Sequence, residues 1–185
     1  MLKEKIEGYV PQNKQEMQDK KVMLDYLNLF GSQLLTRENE FAHFTSSGFV
    51  LNEARDKVLM VYHHIYNSWA WTGGHADGQA DLLAVALKEA REETGVKHLT
   101  PLTDDIMSIE ILPVIGHMKR GEYVSAHQHL NVSYVLIASE TDELRIKEDE
   151  NSQVGWIPVD EIKHYVREEH MLPIYEKLIR RVSKV

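Results

Sequence analysis

The sequence predicts a mixed α/β (α+β) fold, because helical and strand-like segments follow one another without the regular order of repeated βαβ units. The chain has 185 residues, of which 43% are hydrophobic and 27% are charged. These values are ordinary for a globular protein, and a chain of this length can bury one substantial core. We therefore expect one domain with a mixed sheet and helices packed on it.

Three segments carry apolar residues at helical spacing. They predict helices over residues 14–30, 80–94 and the C-terminal stretch 167–185. Gly31 is expected to end the first helix, since glycine readily adopts the backbone conformation of a helix C-terminus. Pro173 is expected to break or kink the last helix, because proline lacks the backbone N–H group.

Other segments are rich in β-branched and aromatic residues and are bounded by polar turns, which is typical of strands. The predicted strands cover residues 41–51, 58–66, 68–74, 106–117, 129–139 and the start of 154–162, which leads into a helix. The polar stretch 52–57 is expected to form the hairpin loop between the first two strands.

Composition and charge exclude several classes of function. The net charge is −8 and no stripe of Lys or Arg stands out, so nucleic-acid binding through phosphate neutralisation is not expected. The absence of cysteine excludes disulfides, thiolate metal sites and a cysteine nucleophile. No apolar run reaches the roughly 18–20 residues that span a bilayer, and the start lacks a signal-peptide stretch. A cytoplasmic location without a membrane partner is the simplest expectation.

The stretch "WTGGHADGQADLLAVALKEAREETGV" joins two adjacent glycines to a helix that ends in acidic residues. Glu89, Glu92 and Glu93 lie three and four residues apart or adjacent, so they project from one region of the helix. Clustered carboxylates repel one another, and a hard divalent cation such as Mg²⁺, Mn²⁺ or Ca²⁺ relieves that repulsion. The alternative is a solvated acidic face paired with neighbouring basic residues. The glycines favour a metal site, because they let backbone carbonyls approach an ion.

This segment resembles the signature of the Nudix family, the Nudix box G-x5-E-x7-R-E-U-x-E-E-x-G-U, in which U is a bulky aliphatic residue. The positions that match are Gly74, Glu89, Glu92, Glu93, Gly95 and Val96. Two positions depart: Ala80 stands where the first glutamate is expected, and Lys88 replaces the arginine. The resemblance extends over about residues 41–165.

The resemblance implies a Nudix-like α/β/α sandwich with a central mixed β-sheet over residues 41–185. Residues 1–40 lie outside it and are expected to form an N-terminal helical extension packed on the domain. The implied activity is Mg²⁺-dependent hydrolysis of a nucleoside diphosphate linked to another moiety, with Mn²⁺ as a substitute. The expected partner is thus a small diphosphate-containing molecule, and the N-terminal helix is a candidate element for forming a homodimer.

The resemblance also assigns roles to individual residues. It implies that Glu89, Glu92 and Glu93 bind the metal through their carboxylates and that the main-chain carbonyl of Gly73 is a further ligand. Lys88 takes the place of a residue that holds the adjacent glutamate, and it is also a candidate for binding the substrate. Lysine lacks the bidentate fork of arginine, so we expect a weaker clamp.

Two positions are candidates for the general base. One is Glu93 itself. Members of the Nudix family often use a loop carboxylate instead, in some cases a few residues before a tryptophan on the last strand. Here Glu148, Asp149 and Glu150 precede Trp156, and Glu150 is the favoured candidate. The alternative is that this acidic loop is only a solvated surface.

His127 and His129 alternate along a predicted strand and therefore share one face of it. A His-x-His pair can bind Zn²⁺, can donate hydrogen bonds to phosphate or a nucleobase, or can be polar surface. We expect both to face the substrate, because no third and fourth soft ligands lie at the spacing of a zinc finger. His63, His64 and His75 lie near the glycine turn in sequence.

Two other functions compete with hydrolysis. Isoprenyl-diphosphate isomerases resemble Nudix proteins in fold, but they are expected to use a cysteine, which this chain lacks. A non-catalytic ligand-binding or sensor module is the second alternative. Loss of the box carboxylates would favour it; Glu89, Glu92 and Glu93 are retained here, whereas Ala80 and Lys88 depart from the box.

Overall fold

The computed structural model describes residues 2–65, 67–119 and 121–184. The helices are α1 (Leu2–Gly8), α2 (Lys14–Phe30), α3 (Leu82–Thr94), α4 (Ile162–Tyr165) and α5 (Leu172–Val182), with a 3-10 helix at Gly31–Leu35. The strands are β1 (Ala42–Asn52), β2 (Lys57–His63), β3 (Ser68–Ala70), β4 (Thr72–His75), β5 (Leu99–Pro101), β6 (Ser108–Val114), β7 (His117–Lys119), β8 (Glu122–Val124), β9 (His127–Ala138) and β10 (Asn151–Pro158). None of the helices in these described ranges has the length and apolar character required to cross a bilayer.

Eight strands form one mixed sheet, in the order β10-β2-β1-β9-β5. Strands β3, β4 and β6 add to this path by pairing with β2, β1 and β9 respectively. The long central strands β1 and β9 run parallel, whereas the other pairs in the sheet are antiparallel. Strands β7 and β8 form a separate hairpin. The sheet confirms the predicted mixed α/β fold.

Helices cover both faces of this sheet, so the central strand β1 is buried along its entire length. On one face Phe44 packs in a cluster with Ala86 of α3. On the other face Phe49 packs in a cluster with Tyr175 of α5, and their rings are stacked. Burial on both faces explains why the second half of β1 contains the continuous apolar run "FVL" at residues 49–51.

A buried ionic network joins the N-terminal segment to the sheet and to α5. Glu16 of α2 pairs with Arg181 at 2.7 Å and with Lys177 at 3.0 Å, and Lys177 also pairs with Glu110 of β6 at 2.6 Å. Burial acts to raise the pKa of Glu16, but the hydrogen bonds from Arg181, the Gln12 N–H and Lys177 lower it to about 2. Glu16 is thus ionised at neutral pH and holds α2 against α5.

The helix termini follow from their capping residues. Helix α2 has the predicted bounds, and Gly31 ends it with a φ of 55° and an N–H donated to the Leu27 carbonyl. Helix α3 begins at Leu82 and not at residue 80, because the Asp81 side chain accepts the Ala84 N–H and caps the first turn.

The C-terminal helix is shorter than predicted. It begins at Leu172, and residues 167–171 are not helical. Pro173 lies in its first turn, where a missing N–H breaks no intrahelical hydrogen bond. The predicted strand 106–117 is also shorter, since it divides between β6 and β7. Of the predicted strand 58–66, the final residue lies outside the described ranges, as does the last residue of the chain.

Candidate metal and catalytic site

The two adjacent glycines let the end of α3 pack directly against strand β4. The Gly73 N–H donates a hydrogen bond of 2.8 Å to Oε1 of Glu93. A Cβ atom on Gly74 would lie 2.5 Å from the carboxyl carbon of Glu89, which is closer than any side chain tolerates. Glycine is therefore required at position 74 if Glu89 is to occupy its observed place.

Helix α3 is held at its C-terminal end, next to the carboxylates. Gly95 adopts a φ of 79° and donates its N–H to the Arg91 carbonyl, which closes the helix. The buried Asn151 side chain donates to the main-chain carbonyl of Glu93 at 3.1 Å. These bonds fix the direction of the last turn, from which Glu92 and Glu93 project.

The three glutamates of the helix have different surroundings. Glu89 and Glu93 are only 9% and 3% exposed and face the glycine turn. Glu92 is exposed, and Lys88 approaches it to 3.5 Å and Glu89 to 3.0 Å. Lys88 thus contacts the adjacent glutamate, as expected for the residue at this box position. A fully solvated acidic face does not describe a helix that buries two of its three carboxylates.

Burial raises the pKa of Glu93 to about 8. The Gly73 N–H acts in the opposite direction, while the negative charges of Glu150 and Glu89 raise the pKa further. A buried carboxyl group of this kind gains most from a nearby cation, because the cation compensates both desolvation and repulsion. The oxygen donors gathered here are of the type that Mg²⁺ prefers, so the residues fit a hard divalent ion.

Glu150 lies in the loop before β10 and reaches the same carboxylate cluster from the other side. Its N–H donates to the Lys147 carbonyl at 2.8 Å, and its own carbonyl accepts the His64 N–H at 3.1 Å. The Lys147 ammonium contacts the Glu150 carboxylate at 2.9 Å and approaches Glu92 at 3.8 Å. The loop is therefore anchored. Sequence reasoning missed Lys147 and Asn151 because their contacts with Glu92 and Glu93 join residues that are distant in sequence.

An ion pair between Arg37 and Asp77 lies close to the site. The Arg37 guanidinium donates from Nε to Oδ1 of Asp77 at 2.8 Å and from Nη2 to Oδ2 at 2.5 Å. The hydrogen bond that Arg37 donates to Asp77 raises the pKa of Arg37, and the charges of Glu89 and Glu150 add to this. This ion pair connects Arg37, which follows the 3-10 helix, to Asp77 in the turn after β4. Sequence reasoning did not single out either residue.

Four histidines meet on neighbouring strands of the sheet. His127 and His129 lie on β9, His43 lies beside His129 on β1, and His75 ends β4. The ring centroids of five of the six pairs are 4.8–5.2 Å apart. Burial, followed by the neighbouring histidines, lowers the pKa of His129 to about 2, and burial also lowers the pKa of His43. The imidazoles of His43 and His129 are therefore neutral at physiological pH.

His127 and His129 share one face of β9, as expected, and His43 and His75 join them from two other strands. A sequence signal for His43 exists: polar residues alternate in "AHFTSS" as they do in "HQHLNVS". Parallel pairing brings the two polar rows together, with Thr45 and Ser47 both donating to Oδ1 of Asn131. Neither His63 nor His64 belongs to the group of histidines described above; Nε2 of His64 lies 3.2 Å from the Glu148 carbonyl.

The chain was compared with known proteins and structures. The family model for the NUDIX domain matches residues 42–179. No curated protein matches the chain. Similar solved structures include an Ap4A hydrolase of C. elegans in a binary complex, with a TM-score of 0.56 and 15% identity over 77% of this chain and 98% of that one. A NUDIX-family hydrolase of Clostridium perfringens has a TM-score of 0.54 and 20% identity over 76% and 97%. RenU of M. smegmatis has a TM-score of 0.56 and 14% identity over 77% and 87%. At these identities the likeness shows the fold.

Proposed function

Since the chain belongs to the NUDIX family, whose enzymes are pyrophosphohydrolases, we propose that it hydrolyses a phosphoanhydride bond in a nucleoside diphosphate linked to another moiety, with Mg²⁺ as cofactor. The observation that carries the proposal is the buried carboxylate of Glu93, which the Gly73 N–H holds beside Glu89. Burying two carboxyl groups against a glycine turn carries a desolvation cost, and a cation bound between them would offset it.

The residues that would hold the ion are Glu89, Glu92 and Glu93 through their carboxylates and Gly73 through its carbonyl. Bound there, Mg²⁺ lowers the pKa of a coordinated water and neutralises charge on phosphoryl oxygens. The Gly73 N–H fixes one oxygen of Glu93, so this side chain has a single orientation. Lys88 contacts Glu89 through an exposed ammonium group, which can also reach a phosphate oxygen.

Glu150 is the better candidate for the general base. Its side chain is 38% exposed, so it can contact a solvent water, whereas Glu93 is 3% exposed and already accepts a hydrogen bond. The Lys147 ammonium contacts the Glu150 carboxylate at 2.9 Å and so holds the side chain in place; a carboxylate positioned beside a water can accept a proton from it. Glu93 then serves the metal, and Glu150 orients and deprotonates the water.

A substrate panel tests the function. Nucleotide sugars, dinucleotides, modified nucleoside triphosphates and coenzyme A are incubated with the protein and Mg²⁺, and release of phosphate or nucleoside monophosphate is measured. We expect turnover of at least one class and loss of turnover with EDTA. If nothing is cleaved while one compound binds, the protein is a ligand-binding module and the proposal is wrong.

A matched pair of variants tests the base. Glu150→Gln should lower kcat by roughly 10²-fold or more, because general base catalysis contributes 10²–10⁴-fold. Glu148→Gln changes an exposed carboxylate in the same loop and should leave kcat within about 2-fold. Equal effects of the two substitutions would assign the loss to the charge of the loop and not to a positioned base.

A further inference from the structure

The four histidines lie outside the carboxylate cluster and have the features of a second metal site. We propose that His43, His75, His129 and His127 bind one divalent transition-metal ion of the kind that prefers imidazole, such as Zn²⁺. Candidate ligand nitrogens of His43, His75 and His129 all lie within 4.8 Å of one another. Imidazole suits Zn²⁺, whereas oxygen donors such as those of Glu89 and Glu93 suit Mg²⁺, so the two sites differ in the ion they select.

Hydrogen bonds fix the tautomers of two of these histidines. Nδ1 of His43 lies 3.1 Å from the Asn39 carbonyl, and Nδ1 of His127 lies 2.8 Å from the Ser125 carbonyl. A carbonyl only accepts hydrogen bonds, so Nδ1 carries the proton in both rings, and in a neutral ring Nε2 then carries a lone pair that can bind a metal. Histidines that bind metals commonly donate their other N–H group to a backbone carbonyl in this way.

The lone pair of His43 has nothing to accept. This side chain is 4% exposed, and its buried Nε2 atom has no hydrogen-bond partner among the described residues. A buried polar atom without a partner is costly, and it is uncommon in native structures unless an ion or water completes it. The rings of His75, His127 and His129 surround the ring of His43 at 4.8–5.2 Å.

The distance between the Nε2 atoms of His127 and His129 already equals the distance between two ligands of one zinc ion. Their Nε2 atoms are 3.3 Å apart. Two nitrogens bound tetrahedrally to Zn²⁺ at about 2.0–2.1 Å lie about 3.3 Å apart. Candidate nitrogens of His43, His75 and His129 lie within 4.8 Å of one another, so these three pairs must close by at most about 1.5 Å to reach that distance.

The charge around the histidines also permits a cation. Arg37 is close to them, but two hydrogen bonds pair it with Asp77, so the pair carries little net charge. The ligands come from β1, β4 and β9, so the ion would join three strands that are distant in sequence. Only two of the four histidines are neighbours in the sequence, which is why spacing alone favours substrate contact over zinc.

Metal content is the primary test. The full-length protein is exposed to one equivalent of Zn²⁺ with excess Mg²⁺, freed of loosely bound metal by gel filtration, and analysed by mass spectrometry. We expect about one Zn²⁺ per chain. His43→Gln and His129→Gln should each weaken Zn²⁺ binding by more than about 100-fold, since losing even an outer partner of a ligand costs 10–100-fold. The exposed His164 of α4 provides the control, and His164→Gln should retain the ion.

Two further measurements keep the test decisive. Glu93→Gln should retain Zn²⁺, which would separate the histidine site from the carboxylate site. In the wild-type protein, nitrogen-15 NMR of the imidazoles should show Zn²⁺ shifting four of the ten histidines, with Nδ1 protonated in His43 and His127. Failure to retain Zn²⁺, or equal retention by all histidine variants, would overturn the proposal. A raised KM in His129→Gln without any bound Zn²⁺ would instead assign the histidines to direct substrate contact.

Discussion

Replacing Glu93 by Gln should strongly lower activity and at the same time stabilise the metal-free protein. The amide has nearly the shape of the carboxyl group and can still accept the Gly73 N–H, but it does not ionise. Activity should fall by roughly 10²-fold or more, since the substitution removes a ligand of the ion that stabilises charge in the transition state. The gain in stability follows from the protonation of the wild-type side chain.

The pKa of Glu93 is raised from 4.5 to about 8, mainly by burial. Below pH 4.5 the group is protonated in both the folded and the unfolded protein, so it does not change stability with pH. Between pH 4.5 and 8 the folded protein keeps a proton that the unfolded chain releases, and stability therefore falls as pH rises. Over the roughly 2.5 pH units up to pH 7, at about 1.36 kcal/mol per unit, the cost is slightly more than about 3 kcal/mol.

Urea unfolding in EDTA, at several pH values from 4.5 to 8, measures this effect. The free energy of unfolding of Glu93→Gln minus that of the wild type should increase with pH by about 3 kcal/mol by pH 7. Other titrating groups are common to both proteins and cancel in the difference. Mg²⁺ should then stabilise the wild type more than the variant, since a ligand stabilises the state that binds it. A difference that is independent of pH would refute the reasoning.

Three other substitutions probe the site and its support. Gly74→Ala adds a Cβ atom that would clash with the Glu89 carboxyl group and displace it. The Mg²⁺ concentration that gives half-maximal activity should therefore rise about 10-fold or more, and an unchanged Mg²⁺ titration would contradict this. Ala80→Glu adds a charge at an exposed position before the cap of α3 and should change stability by less than about 1 kcal/mol and kcat by less than about an order of magnitude; activation of a dead protein would exclude the enzyme proposal. Arg181→Met removes a partner of the buried Glu16 and should lower the free energy of unfolding by about 3–5 kcal/mol in urea, and a change below about 1 kcal/mol would contradict it.

Local signals in the sequence were enough to predict much of the fold. Helix α2 follows from apolar spacing and the glycine at position 31, and both act within a few residues of each other. The predicted C-terminal helix is longer than α5 because its apolar spacing continues through Pro173, whereas proline is favoured in a first turn and here lies at the start of the helix. Short elements such as β5 and the β7–β8 hairpin were missed, since three residues carry too little periodicity to predict a strand.

Part of the candidate site was likewise predictable from local sequence, and part depends on the fold. The carboxylate helix was predicted because its residues are close in sequence and match a known spacing. The anchors of the loop, Lys147 and Asn151, act only once β10 lies beside β2 and places them near α3. The partnership of His43 with His129 depends on the parallel register of β1 and β9, which no local pattern specifies. The sequence therefore identifies residues with suitable chemistry, whereas the strand pairing of the sheet determines which of them lie close together.

Strand β4 links the two proposed metal sites, although it has only four residues. Successive side chains of a strand point to opposite faces, so Gly74 faces α3 and Glu89 while His75 faces the histidines. The N–H of Gly73 meanwhile holds Glu93. An ion on His75 and His43 would fix β4 against β1, and fixing β4 fixes the backbone against which both buried glutamates pack. The position of Glu93 thus depends on the strand as well as on the helix, so an ion held by the histidines would stabilise the geometry of the carboxylate site without entering it.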